Sequence, residues 1–354
     1  MANKGPRLRI LFFADTHLGF DFPLRPRVDM RRRGQGFFDN YQHILDYAAQ
    51  SKPDLVVHGG DLFFRRRVQP KIVDMAYEAL MKFAESGIPV FIVPGNHEGS
   101  SLPASLWLLG SKANVFDRPR TFRIDVGGQA VAISGFPFAR NDAGHRFRAL
   151  LAETGWRDAS APIKLLCLHQ AVEGAQFGPS NFTFRAGKDV IRISDIPGEF
   201  IAVLTGHIHR RQILNGNRGN GPLPVVYAGS VERTSFAEKD EPKGFYEIEL
   251  APDEAGRWRA RAIDFLELPT RPMVDLLIGP RGDSFRLQDH LRRQVEGLDV
   301  NSIVRLRCTT EPDQSILARL TAPVLRSVFP KSMNVQLGIE FRSEEQRGYR
   351  RARQ

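Results

Sequence analysis

Five times along this chain a short apolar run of β character stops abruptly at a block of Asp, Asn, His and Gly. These stretches read FFADTHLG, VVHGGDLFF, IVPGNHEGS, LLCLHQA and VLTGHIHRR. A continuous apolar run bounded by turn residues suits a strand buried on both faces, the kind found in sheets covered by helices. Polar residues directly after such strands fall in loops at the carboxyl edge of the sheet, where sites in α/β folds are built. The pattern therefore places Asp15, His17, Asp61, Asn96, His169, His207 and His209 in loops of that kind.

The donor set is carboxylate, amide oxygen and imidazole without thiolate, which suits Mn²⁺, Fe²⁺ or Zn²⁺ in a reactive site better than a closed structural zinc. A lone Asp-x-His or Asn-His arises often by chance. Five blocks in order, each behind a strand, do not. Of nine histidines, His17, His97, His169, His207 and His209 fall inside the blocks. His43, His58, His145 and His290 read as ordinary: His43 lies in a helical pattern, His58 ends a strand, and the other two have polar surroundings. The chemistry implied is metal-assisted hydrolysis.

Around the blocks, strand and helix signals alternate. Strands are expected over 8–14, 54–57, 90–93, 163–168 and 200–205, each running into a block. Helical periodicity covers 38–50, with Tyr41, Ile44, Leu45 and Ala48 on one face, and 70–85, between Pro70 and Gly87. Shorter helices are expected over 102–109 and 145–153. A hairpin turns at Gly127-Gly128, and strands follow at 225–228, 244–250 and 258–265. Strands with helices, then strands alone, fit two packed sheets flanked by helices. After Leu268-Pro269-Thr270-Arg271-Pro272 the character changes to β-α-β-α-β, over 273–278, 284–296, 302–308, 314–328 and 334–341. The expected organisation is a main domain over 1–268, a small α+β domain over 269–345 and a basic tail over 346–354.

The five blocks are the signature of the calcineurin-like metallophosphoesterases, which the chain resembles from about Leu8 to Phe265. That resemblance implies an α/β fold, a four-layer α-β-β-α sandwich, here with the C-terminal α+β unit as a cap. It implies two divalent metal ions, Mn²⁺ foremost with Fe²⁺ or Zn²⁺ as alternatives. Asp15, His17, Asp61 and His209 would hold one, and Asp61, Asn96, His169 and His207 the other, with Asp61 shared. His97 would bind no metal; it would face the scissile phosphate and stabilise or protonate the leaving oxygen.

A narrower likeness lies in Tyr227-Ala228-Gly229-Ser230-Val231-Glu232-Arg233, Phe236 and Glu241-Pro242-Lys243-Gly244-Phe245, together with Gly59-Gly60-Asp61-Leu62-Phe63. These segments resemble the SbcD family, nuclease subunits of double-strand-break repair complexes. The likeness implies Mn²⁺-dependent exonuclease or endonuclease cleavage of DNA, with Arg233 touching the backbone. It also implies a homodimer formed through the helices around 75–83 and 102–109, and an SbcC-type ATPase partner. Two features depart from that family. Phe64 stands where several relatives carry a second His tied to exonuclease activity, and few residues follow Phe341 to form the ATPase-binding helices.

A formal net charge of +10 fits a polyanionic substrate, since arginine pairs with phosphate bidentately. Arg25, Arg27 and Arg31 to Arg33 follow the first block, and Arg65, Arg66 and Arg67 follow the second, so both clusters should rim the site. Arg347, Arg350, Arg351 and Arg353 read as a tail. Cys167 and Cys308 read as core thiols, and two cysteines in 354 residues fit a reducing cytoplasm. No apolar run is long enough to cross a membrane. Two other functions compete: a phosphoesterase for nucleotides or other small phosphodiesters or phosphomonoesters, and a DNA-binding scaffold with weak activity. Intact Asp61, Asn96 and His97 argue against the scaffold.

Overall fold

The computed structural model describes residues 5–21, 33–99, 102, 103, 106, 113–216, 222–278, 287–308 and 318–338. They divide into two compact units, the first holding the described residues up to Asp21 and from Gly34 to Thr270, the second holding Arg33 and the described residues from Arg271 on. In the first unit, β1 (Leu8–Phe13), β2 (Leu55–His58), β3 (Val90–Ile92) and β4 (Ala113–Val115) are parallel neighbours. A second sheet holds β5 (Arg120–Val126), β6 (Gln129–Gly135), β7 (Ile163–Leu168), β10 (Ala202–Thr205), β11 (Gln212–Gly216) and β12 (Leu223–Tyr227) in the order β11-β12-β10-β7-β6-β5. Between β7 and β10 stands a small hairpin of β8 (Gln176–Phe177) and β9 (Phe182–Thr183). β13 (Gly244–Pro252) and β14 (Trp258–Glu267) extend the first sheet antiparallel beyond β1.

The layering follows from the two-residue period of a strand. In β1, Leu8, Ile10 and Phe12 enter one apolar cluster, while Leu11 and Phe13 enter another. In β7, Ile163, Leu165 and Cys167 join the cluster of Ile10 and Phe12, and Leu166 and Leu168 point the other way. That shared cluster is the core between the sheets. On the outer face of the first sheet lie α1 (Gly34–Ser51) and α2 (Pro70–Ala84), which bury Phe37, Tyr41, Ile44 and Ala48, and Ile72, Ala76, Leu80 and Phe83. α3 (Ala143–Glu153) covers the second sheet with Phe147, Leu150 and Leu151. The result is four layers, α-β-β-α. α2 begins at proline after an extended Gln69 and gives way to Gly87 at φ 74°, so both its ends are set by local chemistry.

The second unit is a parallel sheet of β15 (Met273–Ile278), β16 (Ile303–Cys308) and β17 (Asn334–Leu337). Leu287, Leu291 and Val295 of α4 (Leu287–Val295) pack on Leu276, Val304 and Leu306, alongside α5 (Ala322–Val328). The helix expected over 314–328 is not continuous. Thr321 is extended (φ −77°, ψ 155°), and α5 starts after it. Pro323 has no N–H for the carbonyl of Arg319 and would clash with it in an unbroken helix, so the chain restarts. Sequence periodicity also passes over β4, β8, β9 and β11. Most of the helix expected over 102–109, Arg25, Arg27, Arg31, Arg32 and the basic tail lie outside the described residues.

Candidate metal centre

The ligand loops are fixed first by backbone. Asp15 N–H donates to the Gly60 carbonyl (2.8 Å), His17 N–H to the Asp61 carbonyl (3.0 Å) and Leu18 N–H to the Leu62 carbonyl (2.9 Å). The loops after β1 and β2 thus continue the pairing of their strands. Asp15 (φ 51°), His17 (φ 43°), Asp61 (φ 55°) and His207 (φ 83°) all occupy the left-handed region. Such angles cost of order 1–3 kcal/mol each and persist where surrounding contacts over-determine them. Those backbone bonds do so here, with the Asp15 carboxylate also accepting from His207 N–H at 3.1 Å. Two glycines permit close approach. A Cβ at Gly60 would lie 2.1 Å from His169 Nδ1, and one at Gly95 would lie 2.1 Å from Asp61 Oδ1.

All seven sequence-chosen ligands meet at the carboxyl ends of β1, β2, β3, β7 and β10, spanning both sheets. His17 Nε2 and His209 Nε2 are 2.9 Å apart. Asn96 Oδ1 lies 2.8 Å from His207 Nδ1 and 3.0 Å from His169 Nε2. Asp61 Oδ2 is 3.3 Å from His169 Nε2, and its Oδ1 accepts from His97 N–H at 2.9 Å. Donor atoms of Asp15, His17 and His209 lie within 4.8 Å of one another, as do those of Asp15, Asp61 and His169, and of His17, Asp61 and His97. His97 therefore stands at the edge of the cluster, its side chain one-third exposed, whereas Asp15, His17 and His169 are fully buried.

Carbonyls and carboxylates behind the imidazoles settle which nitrogen faces inward. His169 Nδ1–H donates to the Gly59 carbonyl (2.8 Å), His209 Nδ1–H to Glu238 Oε1 (3.1 Å) and His97 Nδ1–H to the Phe64 carbonyl (2.7 Å). Each Nε2 is thereby aimed at the cluster, the arrangement by which outer partners orient metal ligands. Glu238 is itself held by Lys243 Nζ at 2.7 Å, and Tyr227 Oη donates to the Gln170 carbonyl (3.0 Å) while accepting from Val172 N–H (2.8 Å). Tyr227 so pins the loop that carries His169.

Burial and neighbouring charge set the protonation states. Burial lowers His17 well below its usual value and His207 to about 3, leaving both imidazoles neutral. Burial raises Asp15 to about 6 against the pull of His169 and His209. Burial would raise Asp61 too, but the charge and hydrogen bond of His169 overcome it and hold the carboxyl well below the usual range. For His169, burial is outweighed by the Asp61 carboxylate, and the ring rises to about 9. The neutral imidazoles of His17 and His207 beside the ionised Asp61 carboxylate are in the states that divalent cations require, while His169 holds a proton that a bound cation would displace. The buried Nδ1 of His17 has no hydrogen-bond partner. Two carboxylates, an amide oxygen and four imidazoles turned to one point fit a pair of divalent cations.

His58, read from sequence as ordinary, is buried and linked to both first loops. Gly60 N–H donates to its Nδ1 (3.2 Å), so its Nε2–H donates to Thr16 Oγ1 (3.0 Å). It is a neutral strut rather than a ligand, pushed to about 3 by burial. Glu98, also missed, accepts from Phe63 N–H (2.8 Å) and Gly95 N–H (2.7 Å), tying the second and third loops, and burial raises it to about 8. Its place directly after Asn96-His97 was the one available signal. Phe64 packs its ring on His97 (5.4 Å) and His17 (5.8 Å), and Phe138 does so on His207 (5.4 Å), forming two aromatic walls.

Of the arginines singled out, Arg65, Arg66 and Arg67 are exposed on the bend after Phe64, with Arg65 over its ring. Arg233 is half-buried; its N–H donates to Glu232 Oε1 (2.7 Å) and its Nε–H to the Glu241 carbonyl (3.2 Å). Cys167 is fully buried and its thiol is pushed up by burial. The side chain of Cys308 lies outside the described residues.

Residues 8–211 match the family model described as calcineurin-like phosphoesterase, and the chain belongs to that family. Within it, the chain is similar to proteins named DNA double-strand break repair protein Mre11. That of Methanococcus maripaludis is 26% identical over 257 residues, covering 70% of this chain and 64% of the relative. That of Methanocaldococcus jannaschii is 27% identical over 256 residues, covering 70% and 64%. That of Thermoplasma acidophilum is 23% identical over 336 residues, covering 87% and 82%. The chain thus spans just under two thirds of the length of the first two.

Proposed function

We propose that this protein is a two-metal nuclease that hydrolyses phosphodiester bonds in DNA during strand-break repair. One observation carries the proposal: seven metal-type side chains from both sheets converge, with His97 at the rim, its side chain one-third exposed. Asp15, His17, Asp61 and His209 would hold one cation and Asp61, Asn96, His169 and His207 the other, Mn²⁺ being our choice over Fe²⁺ or Zn²⁺. Two such cations polarise a phosphodiester and lower the pKa of a water molecule for in-line attack. The chain itself supplies orientation and protons. His97, with Nδ1 engaged by the Phe64 carbonyl, turns Nε2 to the cleft and would protonate the leaving oxygen.

DNA is favoured as the substrate by the +10 charge, by the exposed Arg65-Arg66-Arg67 bend directly after the Asp61 loop, and by the names of the relatives. The homodimer, the SbcC-type ATPase, a capping role for the second unit and the contact of Arg233 with the DNA backbone belong to the same proposal. The test is Mn²⁺-dependent cleavage of end-labelled single- and double-stranded DNA, beside a small chromogenic phosphodiester. Cleavage of DNA supports the reading. Turnover of the small diester with DNA left intact, at any DNA structure offered, refutes it.

A further inference from the structure

Between His169 and β10 the chain makes an excursion that the metal centre does not require. Its tip is the β8–β9 hairpin, in which Phe177 pairs in register with Phe182, so both rings project from one face. Both are more than half exposed, 56% and 55%; among the described residues of the first unit the other exposed large hydrophobic is Ile213, at 37%. Phe184, two residues further on, lies beneath them at 6.3 and 5.4 Å and joins the core under the second sheet. Single exposed apolar residues are ordinary; a paired aromatic face on an anchored hairpin is not.

The anchor leads to the metal centre. Arg210, next to His209, donates from Nη2 to the Gly178 carbonyl (2.9 Å) and from Nη1 to Asn181 Oδ1 (2.6 Å), closing the turn of the hairpin. Its Nε–H is held by Glu241 at 2.8 Å. Gln212 Oε1 accepts from Gln176 N–H (2.7 Å), and Gln212 Nε2–H returns a bond to the Gln176 carbonyl (2.8 Å). The two phenylalanines thus stand one arginine side chain from the backbone of a metal ligand. From Gln176 to Thr183 there is no carboxylate to repel a phosphate, and the exposed Arg185 and Lys188 follow.

We propose that this hairpin is a stacking prong that takes unpaired bases of the DNA strand being cut, an inference that rests on the nuclease reading above. Every base offers a flat π-face, so two aromatic rings beside cationic side chains select single-stranded nucleic acid without reading its sequence. In a duplex the bases are already stacked on one another, and the prong gains nothing.

The test compares the full chain with F177A/F182A, F177L/F182L and F177W/F182W. Binding to a fluorescein-labelled oligothymidylate with phosphorothioate linkages, and to a duplex of equal length, is followed by anisotropy. The alanine pair should lose about ten- to a hundredfold in affinity for the single strand while duplex binding and turnover of the small diester change little. The leucine pair, apolar but without a π-face, should remain weak. The tryptophan pair should recover, with its fluorescence quenched by the oligonucleotide. Single-strand affinity equal in all four proteins, full recovery by leucine, or equal loss on both DNAs would overturn the prong. So would a change in mass by light scattering without a strand-selective loss, which would make the pair a contact between copies. A wild-type protein that turns over the small diester yet neither binds nor cuts DNA would remove the nuclease reading itself. One that cuts DNA as well without the rings would remove only the prong.

Discussion

At the scale of single residues, the centre depends on backbone conformations that L side chains avoid and on glycines that let neighbours approach. Gly60 shows both: it sits at φ 107°, and its missing Cβ leaves room for the His169 ring. Gly60→Ala should therefore destabilise the fold by roughly 2–4 kcal/mol in denaturant unfolding and weaken metal binding at once, through strain and displacement of His169. Unchanged metal affinity in a folded Gly60→Ala protein would show that the close approach is not needed. The imidazoles divide by partner rather than by position in sequence. Those backed by a carbonyl or carboxylate point Nε2 inward, while His58 spends both nitrogens on Thr16 and Gly60.

At the scale of elements, Tyr227 links the end of β12 to the loop that carries His169, through one donated and one accepted bond. Tyr227→Phe leaves the buried Val172 N–H without its partner, which should cost about 1–3 kcal/mol of stability. A loss below about half a kcal/mol would mean that the loop holds itself. The sequence made the long elements legible because their signals are local. Doubly apolar runs mark β1, β2, β3, β7 and β10, and the polar block behind each marks a ligand. What was illegible depends on distant contacts. His58 looks like a strand end until Thr16 is placed beside it, and Glu238 gains its role from His209 and Lys243. β8 and β9 are two residues long, β4 is as short as β3 but runs into no polar block of ligand residues, and β11 is an edge strand, so no pattern marks them. Pro323 could have flagged the break before α5, because it removes a donor wherever it stands inside a helical run.

At the scale of the whole molecule, the charge surplus and the centre make one claim, that the substrate is a polyanion cut at phosphorus. Replacing Arg65, Arg66 and Arg67 with serine should lower DNA affinity and flatten its dependence on salt. The slope of log affinity against log salt should fall by up to about three for a duplex, since each lost phosphate contact removes about 0.9. An unchanged slope would place DNA elsewhere on the surface. The central claim is that Asp61 is shared between two cations while His97 binds neither. The most direct measurement is metal content per chain, by mass spectrometry of Mn²⁺-loaded protein, alongside DNA cleavage for wild type, His97→Ala and Asp61→Asn. We predict two metals per chain in the wild type and in His97→Ala, cleavage by the latter reduced about 10²–10⁴-fold, and at least one metal lost from Asp61→Asn. Metal lost from His97→Ala, or both metals kept by Asp61→Asn, would contradict the account.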